Sequence, residues 1–317
     1  MMALSKTSTS LYEHIHRHGE LFVNPLHWTD HHLRLVGSGF VNVSNTYADY
    51  SQERCRDESR SSHHDQDRPP ATKYDVQVNE LHSLTKVLVG FDRPFAKSRE
   101  GSWFYFKRQP LHKAEYTIFH RHGSATGYLR EGIPFMVGYL TWANVINQRV
   151  MRYMGHPGPK GTRNGVGIRL RSRRVAKITP RNWSEDPFYL CVLLALAQSQ
   201  EITAKVPIYP ARLVASYALD KDHIHVYDAA ISSKLIQTLR DPRSITTWTE
   251  WPVITHKKVP YKPYETINER LMFELVTPNP LCMREGAYLA NSRIGGGRGL
   301  KRPGDGEDNR AHKSARR

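Results

Sequence analysis

Residues 206–230 read VPIYPARLVASYALDKDHIHVYDAA. Two β-branched and aromatic runs flank Asp220-Lys221-Asp222, which is the pattern of two strands joined by a polar turn. Pro207 and Pro210 cannot donate to a sheet ladder, so they place the first strand at an edge or give it a bulge. Immediately before it, PFYLCVLLALAQSQ (187–200) is apolar around most of its circumference, and such a helix belongs in the centre of a core. Asp186-Pro187 opens that helix, with Asp at the cap and Pro in the first turn.

Downstream, SSKLIQTLRDP predicts a short helix capped by Ser232 or Ser233 and stopped at Asp241-Pro242. SITTWTEWPVITHKKVPY predicts an irregular strand, and ETINERLMFELV a helix opened by the capping-box spacing Thr266 to Glu269. The order from 186 to 276 is therefore helix, two strands, helix, strand, helix. It predicts an α+β fold: a single mixed domain with antiparallel strands packed on helices, flanked by disordered termini. Upstream, WFYFKRQPLHKAEYTIFHR predicts two strands, 103–108 and 114–121, around a Gln109-Pro110 turn. Tyr139, Trp142, Ala143, Ile146, Val150, Tyr153 and Met154 recur at helical steps.

The 317 residues suffice for one large domain or two modest ones, and the expected division is threefold. Residues 1–72, with SQERCRDESRSSHHDQDRPPATK, read as a mostly disordered segment; Leu21 to Val43 offer a strand or two. Residues 73–285 form the globular domain, with an exposed basic loop at 155–182. Residues 286–317 form a disordered basic tail. Hydrophobic residues make up 39%, short of the roughly 45–50% usual in globular domains, so part of the chain is expected to stay unpacked.

The formal net charge of +16 is concentrated. No acidic residue lies between Glu131 and Glu185, a window holding ten Lys and Arg. Residues 293–317 hold eight basic and three acidic residues. Clustering of this kind favours a polyanionic partner. Arg169, Arg171 and Arg173 alternate, so in an extended segment they line one face, with Arg174 and Lys177 beside them. These five are the candidate polyanion contacts, for DNA or RNA. Trp142, Trp183, Trp248 and Trp251 could stack bases, although such residues more often pack half-buried.

The chain ends in KRPGDGEDNRAHKSARR. Lys301-Arg302, a ten-residue spacer and Lys313-Ser314-Ala315-Arg316-Arg317 resemble a bipartite nuclear localisation signal. The resemblance implies an importin-type adaptor as partner and the nucleus as location. Asp305, Glu307 and Asp308 in the spacer argue against a phosphate-binding arm.

Chemistry-bearing motifs are sparse. The three cysteines are odd in number and scattered, so neither a disulfide framework nor a zinc knuckle follows. The N-terminus lacks an apolar signal core, and the longest apolar run (190–197) falls well short of a membrane span, which takes roughly 20 residues. A soluble intracellular protein is expected, with no membrane partner. Among 17 histidines, His223 and His225 alternate on the second strand with Asp228 three residues on. A metal site there is the weaker reading; a solvent-facing strand with Ile224 and Val226 inward is the stronger. Asp220 and Asp222 sit at the turn, where carboxylates are ordinarily solvated. No P-loop, GxSxG or GxGxxG element occurs, so no catalytic residue, metal or cofactor is assigned.

HIHVYDAAISSKLIQTL and VPYKPYETINERL, within 183–276, resemble uncharacterised proteins of filamentous fungi. These share a tyrosine-rich strand, a short helix, an "IPYKPY-x-T-x-x-ERL"-like helix start and a basic C-terminus. The resemblance implies a eukaryotic source and nothing about chemistry. The expected function is thus a nuclear, non-enzymatic protein that binds nucleic acid or a nuclear partner through its basic segment. The alternatives are a metal-dependent hydrolase or nuclease using Asp220, Asp222, His223, His225 or Asp228, and a scaffold with no ligand.

Overall fold

The computed structural model describes residues 10–43, 84–85, 88–89, 95–98, 101–121 and 136–277. A seven-stranded mixed sheet organises them, in the order β1-β9-β8-β7-β6-β5-β2. Its strands are β1 (Gly39–Asn42), β2 (Phe95–Lys97), β5 (Thr117–Arg121), β6 (Met136–Thr141), β7 (Ile208–Ser216), β8 (His223–Ser232) and β9 (Val253–Pro260). A separate hairpin pairs β3 (Trp103–Phe106) with β4 (Gln109–Lys113). The helices are α1 (Leu11–Arg17), α2 (Asp30–Val36), α3 (Trp142–Arg152), α4 (Gly165–Ile178), α5 (Phe188–Thr203), α6 (Ser233–Arg240) and α7 (Ile267–Val276).

The α+β expectation holds, and the order α5-β7-β8-α6-β9-α7 is the one anticipated. The β7-β8-β9 meander is antiparallel, while β6 joins β7 and β1 joins β9 in parallel. Hence β1, β6, β7 and β9 all point the same way. Pro210 does not make β7 an edge. The strand is central, but β6 first pairs with it at Arg212, so at Pro210 only β8 lies alongside and no ladder donor is missed.

Each sheet face carries its own core. On one face, Tyr209, Leu213, Tyr227 and Ile231 pack under α5 together with the β3-β4 hairpin and α6. Helix α5 is buried on nearly every side, as its all-round apolar character requires. It lies so close to the sheet that a Cβ at Gly138 would stand 3.1 Å from Leu196 Cδ1. Gln198 behaves like a strand neighbour: its amide accepts Tyr105 N–H and donates to Tyr105 O, both at 2.9 Å. On the other face, Phe119, Val137, Val214 and Val226 meet Leu271 and Leu275 of α7.

Four details differ from expectation. Residues 10–43 are part of the body: α1 opens with a Ser10–Glu13 capping box, and β1 extends the sheet. Sequence 103–121 forms three strands, and the tight turn falls at Lys107-Arg108, both at positive φ (51° and 63°), so Gln109-Pro110 starts β4. Tyr139, taken as helical, lies in β6, since the switch to helix occurs at Trp142. The Thr266 side chain makes no capping box; its hydroxyl accepts from Arg270 instead.

Candidate functional site: a basic helix beside a buried histidine chain

The basic segment is not an extended loop. Asn164 accepts Gly167 N–H at 2.8 Å through its side chain and opens α4, which runs for 14 residues. Ile168, Arg171, Val175 and Ile178 form its half-buried stripe, at steps of three and four. None of its residues is fully buried. In a helix, positions two apart are splayed by about 200°, so Arg169, Arg171 and Arg173 cannot share a face. Arg171 turns toward the body and Arg174 lies over the Tyr153 ring, 5.8 Å from its centroid. Arg169, Arg173 and Lys177, at four-residue steps, make the outward ridge, about 6 Å apart along the axis. All three are exposed, and none has an acidic partner among the described residues. Leu170 (48% exposed) lies beside them between Arg169 and Arg173, and Val166 (68%) lies one turn before it.

One basic residue of the acid-free window is not available. Arg149 is fully buried, donating to Asp186 through Nη1 (2.6 Å) and Nη2 (2.8 Å) and to Leu26 O through Nε (2.9 Å). Lys301, Arg302, Lys313, Arg316 and Arg317 lie outside the described residues.

At the carboxyl ends of β6 and β7 the structure gathers Trp142, Trp183 and Tyr217, and Trp183 covers His225 with ring centroids 4.5 Å apart. His225 is buried, contrary to the solvent-facing expectation, because both faces of β8 are covered. Its Nε2 stands 3.0 Å from Asp220 Oδ2, and its Nδ1 2.8 Å from His256 Nε2. His256 Nδ1 in turn lies 2.6 Å from Asn42 Oδ1. Tyr227 stacks on His256 at 4.7 Å with an interplanar angle of 7°, and its hydroxyl donates to Ser184 O.

Burial drives the His225 pKa down to about 4 and that of His256 to about 3, each aided by neighbouring positive charge such as Lys258. Burial alone would raise Asp220. Hydrogen bonds from the His225 ring and from the backbone N–H groups of His223 and Asp222 outweigh it, leaving the carboxyl below its ordinary value. With both rings neutral, each has one N–H to give. The Asp220 carboxylate accepts from His225 Nε2–H, and that tautomer leaves His225 Nδ1 to accept from His256 Nε2–H.

Each ring nitrogen of His225 and His256 has a polar neighbour at 2.6–3.0 Å. Of the candidate metal ligands, Asp220 lies 3.0 Å from His225 Nε2 and 3.8 Å from His223 Nδ1, but Asp228 does not join them. Asp228 is an odd number of residues from His225, so it points through the opposite face of the sheet, where Arg212 pairs with it. Among the described residues no group of three or more His, Cys, Asp or Glu could hold a metal ion. His14 and His16 lie on helix α1 and His18 directly after it, and His14 Nε2 is 2.9 Å from Leu35 O. No described helix is long and apolar enough to cross a membrane.

The Asp220–His225–His256–Asn42 chain escaped sequence reasoning because its members come from β1, β8, β9 and a turn. Helix α4 carried a legible signal, the 168-171-175-178 stripe, masked by Gly165 and Gly167. No family model, curated protein or solved structure matches the chain.

Proposed function

We propose that this is a nuclear, non-enzymatic protein that binds nucleic acid through the outward ridge of α4. The observation that carries this reading is the ridge itself: Arg169, Arg173 and Lys177, exposed and without acidic partners among the described residues, on a helix set in an acid-free window. A row of cations at a regular pitch can track a phosphate backbone, and Val166 and Leu170 beside it suit thymine methyls or sugar faces. Helix α4 buries none of its residues fully, so it is little needed for the core and free to be a contact surface. The C-terminal Lys301-Arg302 and Lys313 to Arg317 clusters would deliver the protein through an importin-type adaptor.

Two experiments test the two parts. Fluorescence anisotropy of the full chain with duplex DNA and single-stranded RNA, between about 50 and 300 mM salt, should give an affinity that falls linearly on log axes. Each phosphate neutralised adds about 0.9 to the slope on duplex DNA. Replacing Arg169, Arg173 and Lys177 by Gln should reduce it by about 2 to 3, while Arg171→Gln should leave it almost unchanged. Absent binding, salt-independent binding, or a triple variant equal to the parent overturns the reading. For the address, alanine at Lys301, Arg302, Lys313, Arg316 and Arg317 should abolish nuclear accumulation of a fluorescent fusion; unchanged accumulation overturns it.

A further inference from the structure

Between α1, α2 and the β3-β4 hairpin lies a cavity of about 270 Å³. Leu11, Leu21, Trp28, Phe104, Phe106 and Trp251 are among the side chains lining it. An apolar cavity of about 150 Å³ takes a benzene molecule, so this one suits a short alkyl chain or a bicyclic ring. Two features make it more than a packing void. Arg152, the last residue of α3, lines it, is exposed, and has no acidic partner among the described residues. Lys107 Nζ lies 5.5 Å and 5.6 Å from the ring centroids of two lining residues, Phe22 and Phe106. Among the described residues no carboxylate lines the cavity.

We propose that this cavity binds a small apolar monoanion, such as a short-chain fatty carboxylate, with its hydrocarbon among the aromatic rings and its carboxylate on Arg152. The charge complementarity selects the ligand class. One lining arginine, a lysine over two of the lining rings and no acid among the described lining residues disfavour a cation and favour an anionic head over a neutral one. Phe22, 57% exposed, marks where the cavity meets solvent. The inference is independent of nucleic-acid binding, since none of the three ridge residues lines the cavity.

Isothermal titration of the full chain with octanoate and with 1-octanol tests it. Octanoate should bind more tightly than octanol. Arg152→Gln, a substitution at an exposed side chain, should weaken octanoate at least tenfold and leave octanol within about twofold. Leu111→Trp, which fills the cavity from its wall, should abolish both; cooperative thermal unfolding of that variant confirms that it folds. Three outcomes would each overturn the proposal. These are no octanoate binding, octanoate binding indifferent to Arg152→Gln, and undiminished binding to a folded Leu111→Trp protein.

Discussion

Asp186 accepts four hydrogen bonds, from Trp142 Nε1, from two Arg149 nitrogens and from Phe188 N–H. It ties α3 to the start of α5, where Pro187, not Asp186, is the residue at the cap. Neither member of the Arg149–Asp186 pair is exposed, so neutralising one leaves the other as an uncompensated buried charge. Asp186→Asn should therefore cost about 3–5 kcal/mol in urea denaturation. Adding Arg149→Met should recover much of that loss, because apolar replacement of a buried pair is often close to neutral. A single variant as stable as the parent would refute the pairing. At this scale the sequence was partly readable. Asp186 announced a helix start, but nothing near position 149 announced its partner. Likewise the step from His225 to Asp228 already placed them on opposite faces by parity, whereas the partner His256 lies 31 residues away.

Elements show why some stretches were legible and others not. Helix α5, β7, β8 and α6 each combine a strong pattern with a clear boundary. The Ser232 hydroxyl accepts Leu235 N–H at 3.1 Å, as its position before SKLIQTL suggests. Residues 136–152 carry two patterns end to end, an apolar strand and an amphipathic helix, with no Gly or Pro between Leu140 and Trp142 to divide them. Helix α4 fails the other way: its polar residues and glycines imitate a loop, although one stripe keeps the helical period. That distinction decides the function test. An extended chain would make Arg169, Arg171 and Arg173 equivalent contacts; the helix separates Arg171 from the other two and recruits Lys177. Arg171 is thus the control for the ridge, and a loss of binding on Arg171→Gln equal to that on Arg173→Gln would contradict the helical geometry.

For the whole molecule, the sheet buries charge and imidazole on both faces, which couples stability to pH. One face holds the His225–His256 pair; the other holds Lys257 against Glu274, 2.7 Å apart and almost wholly buried. His112, packed edge-on to Phe188, is also driven down to about 4 by burial, opposed by Gln148 and assisted by the Arg152 charge. These three histidines have folded pKa values of about 4, 4 and 3 against an ordinary value of 6.5. As pH falls through 6.5 the unfolded chain takes up protons that the folded chain refuses until about pH 4. Stability is then complete above about 6.5 and is lost as pH drops toward 4, by roughly 1.4 kcal/mol per unit for each histidine acting alone. His225 and His256 share a hydrogen bond, so they titrate as a pair and the sum is smaller. Asp220, held below its ordinary range, loses its contribution only further into acid and does not blur this window. Urea midpoints should accordingly hold nearly level from pH 7.5 to about 6.5 and fall from there to pH 5. His225→Gln combined with His256→Gln should flatten part of that dependence, leaving the parts due to His112 and to His14, His27 and His32, whose pKa values burial also lowers. A parent protein equally stable at pH 7.5 and pH 5 would show that these rings accept protons in the folded state, and that the chain from Asp220 to Asn42 does not hold them neutral.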